Sequence, residues 1–148
     1  MGADGTFTVE TAVALARKAH EGQLDKAGLP YIEHPLRVMA MVETEAQQMA
    51  AVLHDVLEDT PITADDLRAA GCPEQVVQAV IALSHWDDEP METYLARVVA
   101  DPIAIVVKRA DIADNSSPHR LGQLDPRLQE RLKIKYARSL EFLARHGA

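Results

Sequence analysis

Residues 45–60 read Glu45-Ala46-Gln47-Gln48-Met49-Ala50-Ala51-Val52-Leu53-His54-Asp55-Val56-Leu57-Glu58-Asp59-Thr60. Up to Leu57 the stretch predicts a helix, with Met49, Ala50, Val52, Leu53, Val56 and Leu57 covering most of its circumference. A helix apolar nearly all round belongs at the centre of a packed structure. Its end carries ionisable groups, His54, Asp55, Glu58 and Asp59. His54 and Glu58 are four apart, as are Asp55 and Asp59, so on a continuous helix each pair projects from neighbouring positions. Three acids at a helix C-terminus oppose its dipole, which favours cations there. Burying them unpaired costs several kcal/mol. A divalent cation offsets that cost, because it attracts imidazole and carboxylate alike. The plainer alternative is a solvated helix end, and an isolated His-Asp pair often arises by chance.

Outward from this segment the chain reads as helix after helix. Aromatics are 4% and β-branched residues are scattered rather than alternating. Thr8 caps a first helix that ends near Gly22, and residues 23–30, with Gly28 and Pro30, form a loop. A second helix starts around Pro35. Thr60-Pro61 ends the third, and Thr63 with Asp66 opens a short helix that ends at Gly71. Pro73 opens the next, running to about Ser84. Further helices run from about Pro90 to Ala100 and from Pro102 to about Asp114. Asp125-Pro126 starts the last, with Leu128, Leu132, Tyr136, Leu140 and Leu143 as its stripe. The expected fold is all-α: one domain spanning residues 1–148, with about seven or eight helices packed around the third.

At 148 residues, 47% hydrophobic and 26% charged, the chain has globular composition, which excludes a disordered tail or fibrous repeat. The balance of 15 basic and 23 acidic residues, −8 net, argues against polymeric nucleic acid and anionic membranes as partners. Cys72 is the only cysteine, so no intramolecular disulfide or cysteine-based zinc site can form. Met1-Gly2-Ala3-Asp4-Gly5 lacks a basic start and an apolar core, so no signal peptide is expected there. No apolar run approaches the ~18 residues of a membrane span. The expected location is cytoplasmic.

Two further places can supply ligands. His34 lies in Pro30-Tyr31-Ile32-Glu33-His34-Pro35, and Asp111 lies late in an apolar helix, one turn before Asn115. With His54 and Asp55 they make a set of two imidazoles and two carboxylates. That set suits manganese, iron or zinc and leaves positions for water and substrate.

These residues, in this order, resemble the H…HD…D signature of the HD-domain metal-dependent phosphohydrolases. Their flanks, His20-Glu21-Gly22-Gln23, Lys26 to Pro35, Leu53 to Thr60 and Val107 to Asn115, are similar to the hydrolase domain of the RelA/SpoT alarmone enzymes and to single-domain small alarmone hydrolases. The likeness covers about residues 10–116 and continues weakly into the last helix. It implies that His34, His54, Asp55 and Asp111 are metal ligands, usually for manganese. It implies that Glu58 and Asp59 position and activate the attacking water, that Asn115 contacts the nucleoside sugar, and that Lys26 is a basic residue of the substrate loop. The implied enzyme is a hydrolase that removes pyrophosphate from the 3′ position of ppGpp or pppGpp, with metal-activated water attacking the phosphoryl group. The alternatives are an HD phosphatase for another nucleotide, such as a nucleoside monophosphate or a phosphorylated dinucleotide cofactor, and a catalytically silent nucleotide-binding regulator.

Two positions depart from the pattern. Asp25 stands where the resembling loop carries an arginine, and Asp114 where it carries a histidine. Both are expected to add negative charge near the nucleotide, with Asp25 pairing with Lys26. The remaining polar residues have ordinary expectations. Tyr31 packs the loop, His20 makes a structural hydrogen bond and Lys108 makes a salt bridge. His85 is an exposed loop histidine, and Lys133, Lys135 and Arg138 form a solvated face. His119 and Arg120 are candidates to reach a substrate phosphate.

Overall fold

The computed structural model describes residues 7–147, so the reading of Met1 to Gly5 lies outside the described residues. Ten helical segments follow one another: α1 (Val9–Ala19), α2 (Glu33–Ala40), α3 (Glu45–Leu53), α4 (Val56–Asp59), α5 (Ala64–Ala69), α6 (Glu74–Ala82), α7 (Met91–Val99), α8 (Pro102–Asn115), α9 (Pro118–Leu121) and α10 (Pro126–His146). Among the described residues the only extended pairing is an isolated bridge between Leu24 and Pro30. Among the described residues no helix is long and apolar enough to cross a membrane.

The helix starts follow local chemistry. Thr8, Thr44 and Thr63 each accept the backbone N–H three residues on, and the side chains of Thr11, Gln47 and Asp66 return the bond. Asp101 accepts from the amides of Ile103 and Ala104 ahead of Pro102, and Asp125 accepts from that of Arg127 ahead of Pro126. α2 begins at Glu33, two residues earlier than expected, which puts His34 in its first turn.

The expected helix 45–57 does not run unbroken. α3 stops at Leu53, and Asp55 (φ −102°, ψ 0°) precedes a new turn, α4. The Ala51 carbonyl, which a continuous helix would offer to the Asp55 amide, accepts a bond of 2.6 Å from His54 Nδ1 instead. This break and the unforeseen turn α9 raise the segment number above the expected seven or eight.

Met49 to Leu53 are all buried, and α3 packs against α1, α2, α6 and α8. The expected central position is borne out. The α3–α4 break, the start of α2 and the end of α8 therefore meet at one side of a shared apolar core that includes Val38, Val52, Leu53, Val56, Val107 and Ile112.

Candidate functional site

Three buried side chains from separate helices converge there. His34 Nε2 lies 2.8 Å from Asp111 Oδ1, and His54 Nε2 lies 3.2 Å from the same oxygen. Their donor atoms all lie within 4.8 Å of one another. Asp55 joins them through Oδ2, 3.1 Å from His54 Nε2, and the Tyr31 hydroxyl donates to that oxygen.

The ring orientations are set from behind. The Ala51 carbonyl can only accept, so His54 Nδ1 carries the hydrogen of their 2.6 Å bond. Asp114 is bonded by arginine and is likewise an acceptor, so His34 Nδ1 donates to its Oδ2 at 2.6 Å. Both Nε2 lone pairs therefore face carboxylates. Two lone pairs and two anions at this range repel unless a proton or a cation lies among them, and imidazole nitrogen with carboxylate oxygen is a set that divalent transition metals take. Burial works against protonating His54, but the carboxylates of Asp55 and Asp111 outweigh it and hold the imidazolium well above its ordinary range. Burial likewise opposes ionisation of Asp111, and Lys108, His54 and His34 overcome it and hold the carboxyl well below the ordinary range.

The HD domain family matches residues 12–111, which include all four of these residues. The chain belongs to the HD-domain family. Among curated relatives, the guanosine-3′,5′-bis(diphosphate) 3′-pyrophosphohydrolase of Haemophilus influenzae is 33% identical over 133 residues, covering 80% of this chain and 19% of that protein. The bifunctional (p)ppGpp synthase/hydrolase SpoT of Escherichia coli K12 is 34% identical over 136 residues, covering 82% and 19%. The chain thus spans about a fifth of the length of these relatives. A solved structure described as a metazoan ortholog of SpoT that hydrolyzes ppGpp superposes with a TM-score of 0.79 at 20% identity, covering 97% of this chain and 89% of the other. That likeness bears out the all-α HD fold.

In this HD domain the cluster opens into a cavity of about 400 Å³, bounded by loop 23–30, the α4 turn, the α8–α9 region and α10. Lys26, Glu58, Asp59 and Asn115 all line it, so every candidate site residue lies at the cluster or on this cavity. Asn115 Nδ2 donates to Asp111 Oδ1 at 3.1 Å. Glu58 Oε1 accepts the His85 amide at 2.7 Å. Burial raises the Glu58 carboxyl; the His85 amide opposes this, and the charges of Asp55 and Asp59 add to it. Asp59 is also raised, by burial and by Asp55.

The structure corrects several of the ordinary expectations. Tyr31 reaches Asp55 rather than only packing the loop. His85 is half-buried, stacked on Tyr94 with ring centroids 4.5 Å apart, and lines the cavity. Lys108 makes the expected salt bridge, and its partner is a member of the cluster, with Nζ 3.1 Å from Asp111 Oδ2. Lys133, Lys135 and Arg138 are exposed as expected, and Lys135 also borders the cavity, where desolvation and the like charges of Lys108 and Lys26 pull its ammonium below the ordinary range. His20 makes the expected hydrogen bond, from Nδ1 to Gln23 Oε1 at 2.8 Å.

The two departures are compensated internally. Asp25 Oδ1 accepts the amides of Ala27 and Leu29, and Oδ2 faces Arg120 at 3.9 Å, so its charge organises the loop and does not pair with Lys26. Gly28, at φ +84°, provides the turn that brings Leu29 back to Asp25. Asp114 is buried beneath Arg37 and Arg120. Arg120 itself donates to Asn115 Oδ1 at 2.8 Å and lines the cavity. No local signal marks Tyr31 or Arg37 for these contacts, since each meets its partner 24 or 77 residues away only in the folded chain.

Proposed function

We propose that the chain is one HD-type unit, a divalent-cation-dependent hydrolase that removes pyrophosphate from the 3′ position of ppGpp or pppGpp and leaves GDP or GTP. The observation that carries this reading is the convergence of two imidazoles and two carboxylates at the floor of a cavity whose rim holds Lys26, Arg120 and Lys135. His34, His54, Asp55 and Asp111 hold the cation, with manganese first and iron or zinc as alternatives. When bound, the cation lowers the pKa of coordinated water and offsets negative charge on the phosphoryl oxygens.

The chain's own residues do the rest. Glu58, whose carboxyl burial raises above its ordinary range, takes the proton of the attacking water while the His85 amide fixes its other oxygen. Asp59 orients that water from the next position. Asn115 presents its amide to the sugar, and Lys26 and Lys135 meet phosphate charge at the rim. These cations line the same cavity as the acidic cluster, so a chain of net charge −8 would attract a polyanion only there, with a bound cation offsetting the acids. The same balance favours a small nucleotide over nucleic acid or membrane, and a cytoplasmic place in the stringent response.

Asp25 supports a second reading. The loop presents no arginine of its own, so the base is met by Leu24, Leu29 and Arg120, which fits a nucleotide other than a guanine tetraphosphate. Assaying the manganese-loaded protein against ppGpp, pppGpp, nucleoside monophosphates and phosphorylated dinucleotides separates the two. Release of pyrophosphate from ppGpp is expected. If ppGpp survives while another nucleotide is cleaved, the second reading replaces the first. If none is cleaved and no metal is retained, the chain is a silent binding module.

Cation binding should depend on pH. Because the carboxylates hold the His54 proton above its ordinary range, protonation stabilises the fold below about 6.5, and that contribution is lost as pH rises through the higher folded value. A cation taking these donors displaces that proton. Manganese uptake is expected to release protons and to weaken as pH falls. Calorimetry in buffers of different ionisation enthalpy measures both.

A further inference from the structure

His34 sits between two carboxylates, one at each ring nitrogen. Asp111 meets Nε2 at 2.8 Å and Asp114 meets Nδ1 at 2.6 Å. Asp114 is 3% exposed, and it meets the opposite ring nitrogen from the one that faces the converging donors of His34, His54 and Asp111. Its charge is balanced from two other helices. Arg37 of α2 donates to Oδ1 through Nε at 2.8 Å and to Oδ2 through a terminal nitrogen at 3.2 Å. Arg120 of α9 approaches Oδ2 at 3.4 Å. This paired grip holds the carboxylate still, so its bond fixes the plane of the imidazole as well as its tautomer.

We infer that Asp114 is a positioning residue of the cation site: its carboxylate keeps hydrogen on His34 Nδ1, turns the Nε2 lone pair into the cluster and strengthens that nitrogen as a donor. A carboxylate behind a ligating imidazole acts this way because its negative charge makes the far nitrogen more basic. Arg37 and Arg120 hold the carboxylate ionised and oriented, linking α2, α8 and α9 behind the site. A merely structural ion pair accounts for the two arginines but does not require the imidazole to close the network at its shortest bond.

The inference rests on His34 being a ligand, as proposed above, and the test separates the two. Manganese binding to the full chain without nucleotide is followed by the paramagnetic resonance signal of free Mn²⁺. Imidazole nitrogen spectra report the His34 tautomer. Asp114→Asn keeps shape and an acceptor but loses the charge. It is expected to weaken manganese binding about 10–100-fold, the range typical for partners of ligating residues, and to leave His34 in mixed tautomers. Arg37→Gln leaves the Asp114–His34 bond and should give a smaller loss in the same direction, which keeps the test decisive if the first variant does not fold. A folded Asp114→Asn protein, or an Arg37→Gln protein if only that folds, with wild-type manganese affinity and an unmixed tautomer overturns the role of Asp114. Wild-type affinity in His34→Ala overturns instead the reading of His34 as a ligand. Neither result depends on which nucleotide is cleaved.

Discussion

Asp55→Ala is expected to abolish both manganese binding and turnover. Asp55 stands with His54 at the break between α3 and α4, with Oδ2 3.1 Å from His54 Nε2. Its carboxylate would balance charge on a divalent cation in the proposed ligand set, and the Tyr31 hydroxyl donates to it. Alanine removes a donor and a charge together and leaves His34, His54 and Asp111 as a three-donor remnant. The affinity loss should exceed the roughly 10–100-fold seen when only a partner of a ligand is changed. Metal content of the purified variant and a manganese titration measure it. A variant that retains stoichiometric manganese would remove Asp55 from the ligand set.

Glu58→Gln should separate binding from chemistry. Glutamine is close in shape and can still accept the His85 amide, so the α4 turn and the 85–89 loop stay in register. It cannot take a proton. General-base catalysis contributes about 10²–10⁴-fold, and kcat should fall by that order while manganese affinity stays near wild type. The raised carboxyl of Glu58 adds a pH signature. A base with a raised pKa is lost at higher pH on acidification than an ordinary carboxylate, so the acidic limb of the wild-type rate profile should lie above the usual carboxylate range and should vanish in the variant. Wild-type rates in Glu58→Gln would take it out of the mechanism.

Much of the architecture was legible because its causes are local. Thr8, Thr63, Asp101 and Asp125 sit where caps are needed, and Pro102 and Pro126 where helices begin, so the starts followed from neighbours within four residues. The candidate ligands were legible for a different reason. Ionisable groups beside apolar runs at His54, Asp55 and Asp111 conflict with burial, and that conflict is written in the sequence. The α3 break was not legible. Helix periodicity runs straight through residues 45–57, and only the imidazole capturing the Ala51 carbonyl interrupts it. Nor was the cavity-facing side of α10, since Lys135 reads like any lysine on a solvated stripe.

The sequence by itself determined the helical class, most helix boundaries and the identities of the candidate ligands, because caps, periodicity and misplaced charges act over a few residues. Only the tertiary structure decided how those ligands are held and how the apparent excess of negative charge is neutralised. His34 and Asp114 are 80 residues apart, and His54 and Asp111 are 57 apart. Asp25 and Asp114 looked like added repulsion at a phosphate site. The fold instead assigns Asp25 to loop amides and Arg120, and Asp114 to His34 and two arginines. Charge is a property of composition, but its effect depends on distance, and distance between remote residues exists only once the chain has packed.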